Sequence, residues 1–385
     1  MSVVRLSAEG SPVLLEERPI PGDLRLGLVT LNAPATLNSL SLPMIELIAP
    51  MLDRWERDPA IVAAVLAGAG PRAFCAGGDI QALYLSMRRN HEAGHTVDAY
   101  AETFFEQEYR LDFRLHRYPK PVICLGHGIV MGGGLGLFSA SHFRIVTEAT
   151  RIAMPEVTIG LFPDAGATWI LRSLAPCTAL YLGVTGSHLN AADALHLGIA
   201  THAVGAEHSL RIVETLAGMD WHADTSDAAR IAATLDGLKP AALPNGVVQA
   251  HEATLARRLP AGLRSARDAV AMIRSLEGMD PWFDRGIATM TKGNPASIGI
   301  VVGQLERAAS LSLADSFRLE LIAATRCARF PDFAEGVRAL LIDKDNAPRW
   351  RYPEVASLPD EYVQAHFEAP WADHPLADLE EESIR

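Results

Sequence analysis

Two carboxyl side chains are candidates for acid–base catalysis by their position in the sequence. Glu156 ends the segment MPE within a mainly apolar stretch, and Asp164 follows eight residues later in FPDAG. An apolar setting raises the pKa of a carboxyl group, which suits that group to general acid or base catalysis. Each residue also has a simpler interpretation: a solvated loop acid at Glu156, and ordinary Pro-Asp-x-Gly turn chemistry at Asp164.

A third carboxyl side chain, Glu108, falls within an apolar helical stripe. It follows Tyr100 by eight residues and Phe104 by four, which places all three on one helix face. A carboxylate there is paired, directed into a cavity, or at the wet edge of the stripe. The sequence leaves these three possibilities open.

Two glycine-rich segments are candidates for chemistry by backbone amides. CAGGD places Gly78 just before Asp79, and MGGG places Gly133 in the middle of a triplet that opens an apolar helix. Glycine lets an amide approach a ligand closely, and amides at a helix start point outward. One amide from each segment would form an oxyanion hole. The alternatives are a strand-to-helix turn capped by Asp79, and close helix packing at the triplet.

The segment HEAGH, from His91 to His95, matches the zinc-protease pattern. That chemistry needs both histidines on one face of a buried helix, together with a third ligand. The neighbours are polar and Gly94 weakens a helix, so we interpret the match as chance within a polar loop over residues 86–98 and predict no metal site. GxSxG, a Walker loop and GxGxxG are absent, so neither a serine-hydrolase elbow nor a nucleotide loop is predicted.

Apolar patterns predict the strands that position these residues. Residues 24–31 and 61–67 are β-prone, and the second run is unbroken, as in a strand buried on both faces. Two further stretches, VICLGHGIV and FRIVTE, are each predicted to form one strand.

Helices are predicted after Ser41, at about 98–117, and after the glycine triplet. Strands alternate with helices up to about residue 215, which indicates an α/β fold. The chain beyond is mainly helical by pattern, so we predict two domains, 1–215 and 216–385.

The composition restricts the class of protein. With 34 basic and 46 acidic residues the net charge is −12, which argues against binding to nucleic acid or an anionic membrane. The uncharged stretch 121–140 is glycine-rich and is predicted to form a strand, a turn and a helix start, not a membrane span. Four scattered cysteines and the absence of a signal-peptide pattern favour the reducing cytoplasm.

Several fragments together resemble a known family. AFCAGGDI, GHGIVMGGGLGL, FRIVTE and AMPEVTIGLFPDAG, in this order and spacing, resemble the crotonase (enoyl-CoA hydratase/isomerase) superfamily. EQEY, FPD and the distal DFAEGVRALLIDKDNAPRW are similar to its 3-hydroxyisobutyryl-CoA hydrolase branch. The match runs from about residue 25 to about residue 352. It implies a spiral of ββα repeats that binds acyl-CoA, followed by a helical C-terminal region.

The resemblance also implies roles for the candidate residues. The amides of Gly78 and Gly133 would hold the thioester carbonyl of an acyl-CoA, and Glu156 matches the catalytic acidic residue. Asp164 and Glu108 match carboxylates that the hydrolase branch places around the acyl group. Whether Glu156 attacks the carbonyl or activates water is left open.

Gly136 occupies the position that the resemblance assigns to the first catalytic glutamate of hydratases. Glycine has no carboxylate, so we expect hydrolysis of a 3-hydroxyacyl-CoA thioester, as in valine breakdown. The alternatives are an enoyl-CoA hydratase or isomerase, and a non-catalytic CoA-binding protein. No cofactor is implied besides the coenzyme A of the substrate, and the superfamily often forms homo-oligomers.

Overall fold

The computed structural model describes residues 3–209, 211–224, 226–240, 242–259 and 265–380. In these residues strands and helices are mixed, which confirms the predicted α/β class. The chain divides into two compact units, each made of three segments. The first unit comprises Met1–Gly78, Arg114–Ile152 and Leu189–Val247, and the second Asp79–Phe113, Ala153–His188 and Val248–Arg385.

The described strands form two sheets. They are β1 (Val4–Arg5), β2 (Val13–Ile20), β3 (Leu24–Leu31), β4 (Ile61–Gly68), β5 (Ala73–Cys75), β6 (Val122–Gly126), β7 (Ile129–Met131), β8 (Phe143–Val146), β9 (Arg151–Ala153) and β10 (His202–Ala203). The larger sheet has the order β1-β2-β3-β4-β6-β8-β10, and the smaller has β5-β7-β9. β1, β2 and β3 pair antiparallel, whereas the other pairs from β3 to β10 in the larger sheet are parallel.

Helices make up most of the rest. They are α1 (Leu42–Arg57), α2 (Ile80–Ala93), α3 (Tyr100–His116), α4 (Gly133–Ser139), α5 (Ala167–Leu171), α6 (Pro176–Thr185), α7 (Ala191–His196), α8 (Ala206–Ser209), α9 (Ile212–Ala217), α10 (Ser226–Asp236), α11 (Val247–Arg258), α12 (Ala266–Arg274), α13 (Pro281–Lys292), α14 (Pro295–Ala308), α15 (Leu313–Arg329), α16 (Pro331–Val337) and α17 (Asp360–Gln364). Single turns of 3₁₀ helix lie at Pro34–Thr36, Glu156–Ile159 and Ala365–Phe367, and a π turn lies at Arg338–Ile342.

The first unit is built on the central strand β4. Its residues Ile61 to Leu66 are all buried, as expected for an apolar strand covered on both faces. β3 and β4 match the predicted strands at 24–31 and 61–67. Helix α1 begins after Ser41, as its sequence pattern predicts, and its last residue is Arg57.

The single strand predicted for VICLGHGIV is wrong. The chain forms β6 and β7 there, in different sheets. Gly128 between them has a φ of +59°, and a Cβ at that position would lie 2.2 Å from the carbonyl oxygen of Arg72. Only glycine fits this turn, which carries the chain from one sheet to the other.

The second unit has an aromatic core around α3. Phe105 packs against Phe333 with ring centroids 6.4 Å apart, and Tyr109 packs against Phe317 at 6.0 Å. All four side chains are at most 2% exposed. Helix α3 therefore presents a buried face, and this is the face that carries Glu108.

Helical structure dominates the C-terminal part of the chain, since no strand follows β10 in the described residues. The two compact units each combine early and late segments, whereas the predicted domains at 1–215 and 216–385 follow one another; that domain boundary stays a prediction. The polar loop predicted over 86–98 is partly wrong, because α2 continues to Ala93 and ends at Gly94.

Candidate active site

The two glycine segments lie side by side in the first unit. β5 and β7 are parallel neighbours, so the segments that leave their carboxyl ends emerge at the same edge of the smaller sheet. A Cβ built on Gly77 would lie 3.7 Å from the carbonyl oxygen of Met131 and 3.9 Å from Cα of Gly132. The residues before Gly78 and before Gly133 are thus in van der Waals range.

Glycine is required in this pair of segments for close packing. A Cβ on Gly134 would lie 2.3 Å from the carbonyl oxygen of Cys75, and Gly77 and Gly132 both have positive φ. Gly133 is buried at the first position of α4, and Gly78 is half-buried. Neither amide donates a hydrogen bond within the described part of the chain. Both amides therefore have an unused N–H, as an oxyanion hole requires.

Asp79 has the structural role that its position suggested. It is the N-cap of α2, and its Oδ1 accepts a hydrogen bond of 3.2 Å from the amide of Ala82. This bond satisfies one of the otherwise unpaired amides of the first helical turn.

Glu156 lies in the second unit, at the start of the 3₁₀ turn Glu156–Ile159. The turn ends at Gly160, where a Cβ would lie 2.6 Å from the carbonyl oxygen of Asp332, so α16 packs closely against it. Glu156 is only 5% exposed, and its Oε2 has no hydrogen-bond partner among the described residues. Burial, followed by the negative charge of Asp164, raises the pKa of Glu156 well above its ordinary value. The solvated-loop interpretation of Glu156 is therefore wrong.

Asp164 is held by a buried hydrogen bond. The hydroxyl of Tyr109 donates to its Oδ2 at 2.7 Å. Burial raises the pKa of Asp164 to about 6, and the bond from Tyr109 acts in the opposite direction because it stabilises the carboxylate. Asp164 is thus more than a turn residue, since its side chain faces the interior.

Two residues distant in sequence anchor the loop that carries Asp164. Glu320 on α15 accepts hydrogen bonds of 2.7 Å from the amides of Gly166 and Thr168. Gln304 on α14 donates to the carbonyl oxygen of Pro163 and to the hydroxyl of Thr168, both at 2.7 Å. Neither anchor is predicted from the sequence, where the only signal is a polar residue inside an apolar helical pattern.

Glu108 and Asp112 are buried together on α3. They are 2% and 0% exposed, so the proposed wet-edge position of Glu108 is wrong. Burial comes first among the causes that raise the pKa of both groups, and the nearby negative charges add to it. Asp112 is likewise not predicted from the sequence. Its signal was its spacing of four residues from Glu108 in the same apolar stripe.

The carboxyl group cluster of the second unit can now be defined as Glu108, Asp112, Glu156, Asp164 and Glu320. Electrostatic interactions link Asp164 to each of the other four. Three of the sequence-predicted residues therefore come together here, whereas Gly78 and Gly133 belong to the first unit. Buried carboxyl groups with raised pKa values are the groups that act as acids and bases near neutral pH.

The HEAGH histidines do not share a helix face. His91 lies in the last turn of α2, and its Nε2 is 3.1 Å from the carbonyl oxygen of Ala328. His95 lies beyond the glycine that ends the helix, with Nδ1 3.0 Å from the carbonyl oxygen of Ala93. Among the described residues there is no group of three or more potential ligands arranged to hold a metal ion. The expectation of no metal stays a prediction.

Comparisons with known proteins cover nearly the whole chain. Residues 26–367 match the family model described as enoyl-CoA hydratase/isomerase. The 3-hydroxyisobutyryl-CoA hydrolase, mitochondrial, of Gallus gallus is 35% identical over 89% of this chain and 86% of its own length. The protein of the same name from Homo sapiens is 33% identical over 93% and 88%.

Solved structures resemble the fold of the chain. A carnitinyl-CoA dehydratase from Mycobacterium thermoresistibile has a TM-score of 0.82 at 30% identity, covering 95% of this chain and 98% of its own. An enoyl-CoA hydratase from Rhodobacter sphaeroides has a TM-score of 0.79 at 30% identity, covering 94% and 98%. No described helix has the length and apolar character needed to cross a membrane.

Proposed function

The chain belongs to the enoyl-CoA hydratase/isomerase family, and we propose that it hydrolyses the thioester of a short-chain 3-hydroxyacyl-CoA. The proposed substrate is 3-hydroxyisobutyryl-CoA, which would yield 3-hydroxyisobutyrate and CoA, a step of valine degradation. The names of the relatives support this choice. Two residues carry this proposal. Glu156 is buried and its Oε2 has no hydrogen-bond partner among the described residues, whereas position 136, within α4, is a buried glycine that has no carboxylate.

The oxyanion would be stabilised by two backbone amides. In this mechanism the N–H groups of Gly78 and Gly133 donate to the thioester carbonyl oxygen as negative charge develops on it. Backbone donors suit this task because they are held in place before the reaction begins. Loss of one such donor typically costs about 3–4 kcal/mol of transition-state stabilisation.

Glu156 would act in its ionised form. As a general base it takes a proton from water, the water oxygen adds to the carbonyl carbon, and the tetrahedral intermediate collapses with loss of the CoA thiolate. The proton then passes to the departing sulfur. As a nucleophile it adds directly to the carbonyl carbon, and loss of the CoA thiolate, which takes up a proton, leaves an acyl-enzyme anhydride that water cleaves in a second step. Burial raises the pKa of Glu156, which makes its ionised form a stronger base and a stronger nucleophile.

Asp164 and Glu108 would recognise the 3-hydroxyl of the acyl group. Both side chains are buried, and an acyl chain without a hydroxyl would leave polar atoms of theirs unsatisfied. Each unsatisfied buried group costs about 1–3 kcal/mol, and more if charged. Of the two, Asp164 is the better oriented to bind the substrate hydroxyl, because the hydrogen bond from Tyr109 fixes the position of its side chain.

Other expectations from the sequence remain proposals. We expect coenzyme A to enter as part of the substrate, with no resident metal or redox cofactor. Neither nucleic acid nor a membrane is an expected partner, and a homo-oligomer is expected from the family. A cytoplasmic location is the sequence-based expectation, although the relatives named above carry the word mitochondrial.

Release of free thiol from a panel of acyl-CoA esters tests the function. Purified full-length protein should release CoA from 3-hydroxyisobutyryl-CoA, measured with a thiol reagent. Loss of enoyl absorbance from an enoyl-CoA without thiol release would instead identify a hydratase or isomerase. Acyl-CoA binding without turnover would identify a non-catalytic binding protein.

A further inference from the structure

Asp112 is a fully buried carboxyl side chain for which the proposed mechanism has no role. It lies one helical turn after Glu108 on α3, so the two carboxyl groups are neighbours on the buried face of that helix. Asp112 is 0% exposed, and Glu108 is 2% exposed. Side chains at this spacing are neighbours on a helix, and the charge of Asp112 is among those that raise the pKa of Glu108.

The two side chains lack hydrogen-bond partners. Both carboxyl oxygens of Asp112 and Oε1 of Glu108 are buried and unpaired within the described residues. An unpartnered, ionised carboxylate is among the costliest groups to bury. The unpaired oxygens therefore indicate a missing proton, ligand atom or both.

The charged groups that interact with the pair are all acidic. Glu108 interacts with Asp164, Asp112 and Glu320, and Asp112 interacts with Glu320 and Asp164. The neighbouring Tyr109 phenol is neutral and donates a hydrogen bond to Asp164. Because no cation among the described residues is found to act on either carboxyl group, the pair retains a proton, as interacting carboxyl groups do. The raised pKa values of both groups agree with this.

We infer that Asp112 is a positioning residue that shares a proton with Glu108, so that Glu108 meets the substrate as a neutral carboxylic acid. A protonated carboxyl group has one O–H donor, which an ionised one lacks. The substrate hydroxyl then receives two complementary bonds: it donates to the carboxylate of Asp164 and accepts from Glu108. No covalent bond forms or breaks in this step. The proton stays within the pair, and Asp112 acts only through Glu108.

The identity of the hydroxylated substrate rests on the proposed function, whereas the shared proton does not. Infrared spectroscopy of the unliganded full-length protein tests the proton directly, because a protonated carboxyl group has a C=O band separate from that of a carboxylate. The C=O band of protonated Glu108 is identified as the band that Glu108→Gln removes. In wild type this band should still be present at neutral pH. In Asp112→Asn, the pH at which that band disappears should fall by about one unit or more, the scale of strongly interacting carboxyl pairs.

Enzyme kinetics provide the functional readout. At pH 8, Asp112→Asn should lose most of the preference in kcat/KM for 3-hydroxyisobutyryl-CoA over isobutyryl-CoA. As the pH is lowered it should recover that preference, since Glu108 then takes up a proton without help from Asp112. Thr325→Val is the matched control: it alters a 0% exposed side chain of α15 that also has an unpaired oxygen but carries no charge. This control should leave the pH dependence of the preference unchanged.

The outcomes separate the two ideas. If wild type releases no thiol from any acyl-CoA, the proposed function fails, and the infrared titration alone decides the pairing of Asp112 with Glu108. If Glu108 titrates at the same pH in wild type and Asp112→Asn, the shared proton is overturned even when the hydrolase activity is present. If Asp112→Asn does not fold, the Glu108→Gln difference band still decides whether Glu108 is protonated at neutral pH.

Discussion

The phenol of Tyr109 donates a hydrogen bond of 2.7 Å to Oδ2 of Asp164 in the interior of the second unit. Burial and nearby carboxylates raise the pKa of Tyr109 well above its ordinary value, so the phenol keeps its proton across the working pH range. The bond therefore always favours the ionised form of Asp164. It also fixes the direction of one carboxylate oxygen.

Removing the hydrogen bond between Tyr109 and Asp164 should shift the pH dependence of kcat/KM to higher pH. Tyr109→Phe takes away a donor that lowers the pKa of Asp164 from what burial alone would produce, so that pKa should rise above about 6. The acidic limb of kcat/KM for a hydroxylated substrate should shift to higher pH, as a pH–rate profile will show. A profile that superimposes on wild type would mean that Asp164 does not titrate in the reaction.

The same residue should affect stability in a pH-dependent way. The folded-state pKa of Asp164 lies above its ordinary 3.8, so the folded protein holds this proton to higher pH than the unfolded chain does. Its contribution to the free energy of unfolding is therefore greatest below pH 4 and declines as the pH rises through about 6. Asp164→Asn should lessen that decline, as measured by denaturant unfolding at pH 4.5 and pH 7, with Glu46→Gln on the exposed surface of α1 as a control.

Glu156→Gln should nearly abolish turnover while it spares acyl-CoA binding. Glutamine keeps the shape of the side chain but is neither a base nor a nucleophile. The checks are kcat by thiol release and Kd by calorimetry, with Glu46→Gln as the matched control. Retention of more than about a tenth of wild-type kcat, a loss under about 1.4 kcal/mol, would exclude Glu156 as the principal catalyst.

Wild type should prefer hydroxylated acyl groups. We expect kcat/KM for 3-hydroxyisobutyryl-CoA or 3-hydroxypropionyl-CoA to exceed that for isobutyryl-CoA by at least about tenfold, because sites built to bond a hydroxyl reject analogues that lack it. Asp164→Ala should reduce this ratio more than Glu108→Ala does. Equal kcat/KM values on wild type would leave only a generic thioesterase.

The HEAGH segment should be dispensable. Both histidine rings contact backbone carbonyl groups, and Gly94 separates them at the end of α2. His91→Ala combined with His95→Ala should retain full activity, and metal analysis of the purified protein should find no stoichiometric zinc. Activity lost to a chelator and restored by zinc would refute this.

Local sequence patterns were sufficient for several elements of the fold. The apolar run of β4, the spacing of α1 and the long helix α3 all follow from periodicity, which depends on neighbouring residues only. The apolar residues around Glu156 in the sequence also indicated that its side chain is buried. The split of VICLGHGIV was not indicated, because its cause is the backbone at Arg72, more than 50 residues away in the chain.

The sequence by itself therefore determined the α/β class, the glycine segments and three of the carboxyl groups. Only the tertiary structure decided that Glu108 is buried instead of at a wet edge, and that Asp112 is buried beside it on α3. It also decided that Glu320 anchors the loop of Asp164, through a bond from the amide of Thr168, which lies 152 residues before Glu320. The physical reason is that helical spacing shows which face a side chain lies on, whereas burial and hydrogen-bond partners depend on what packs against that face.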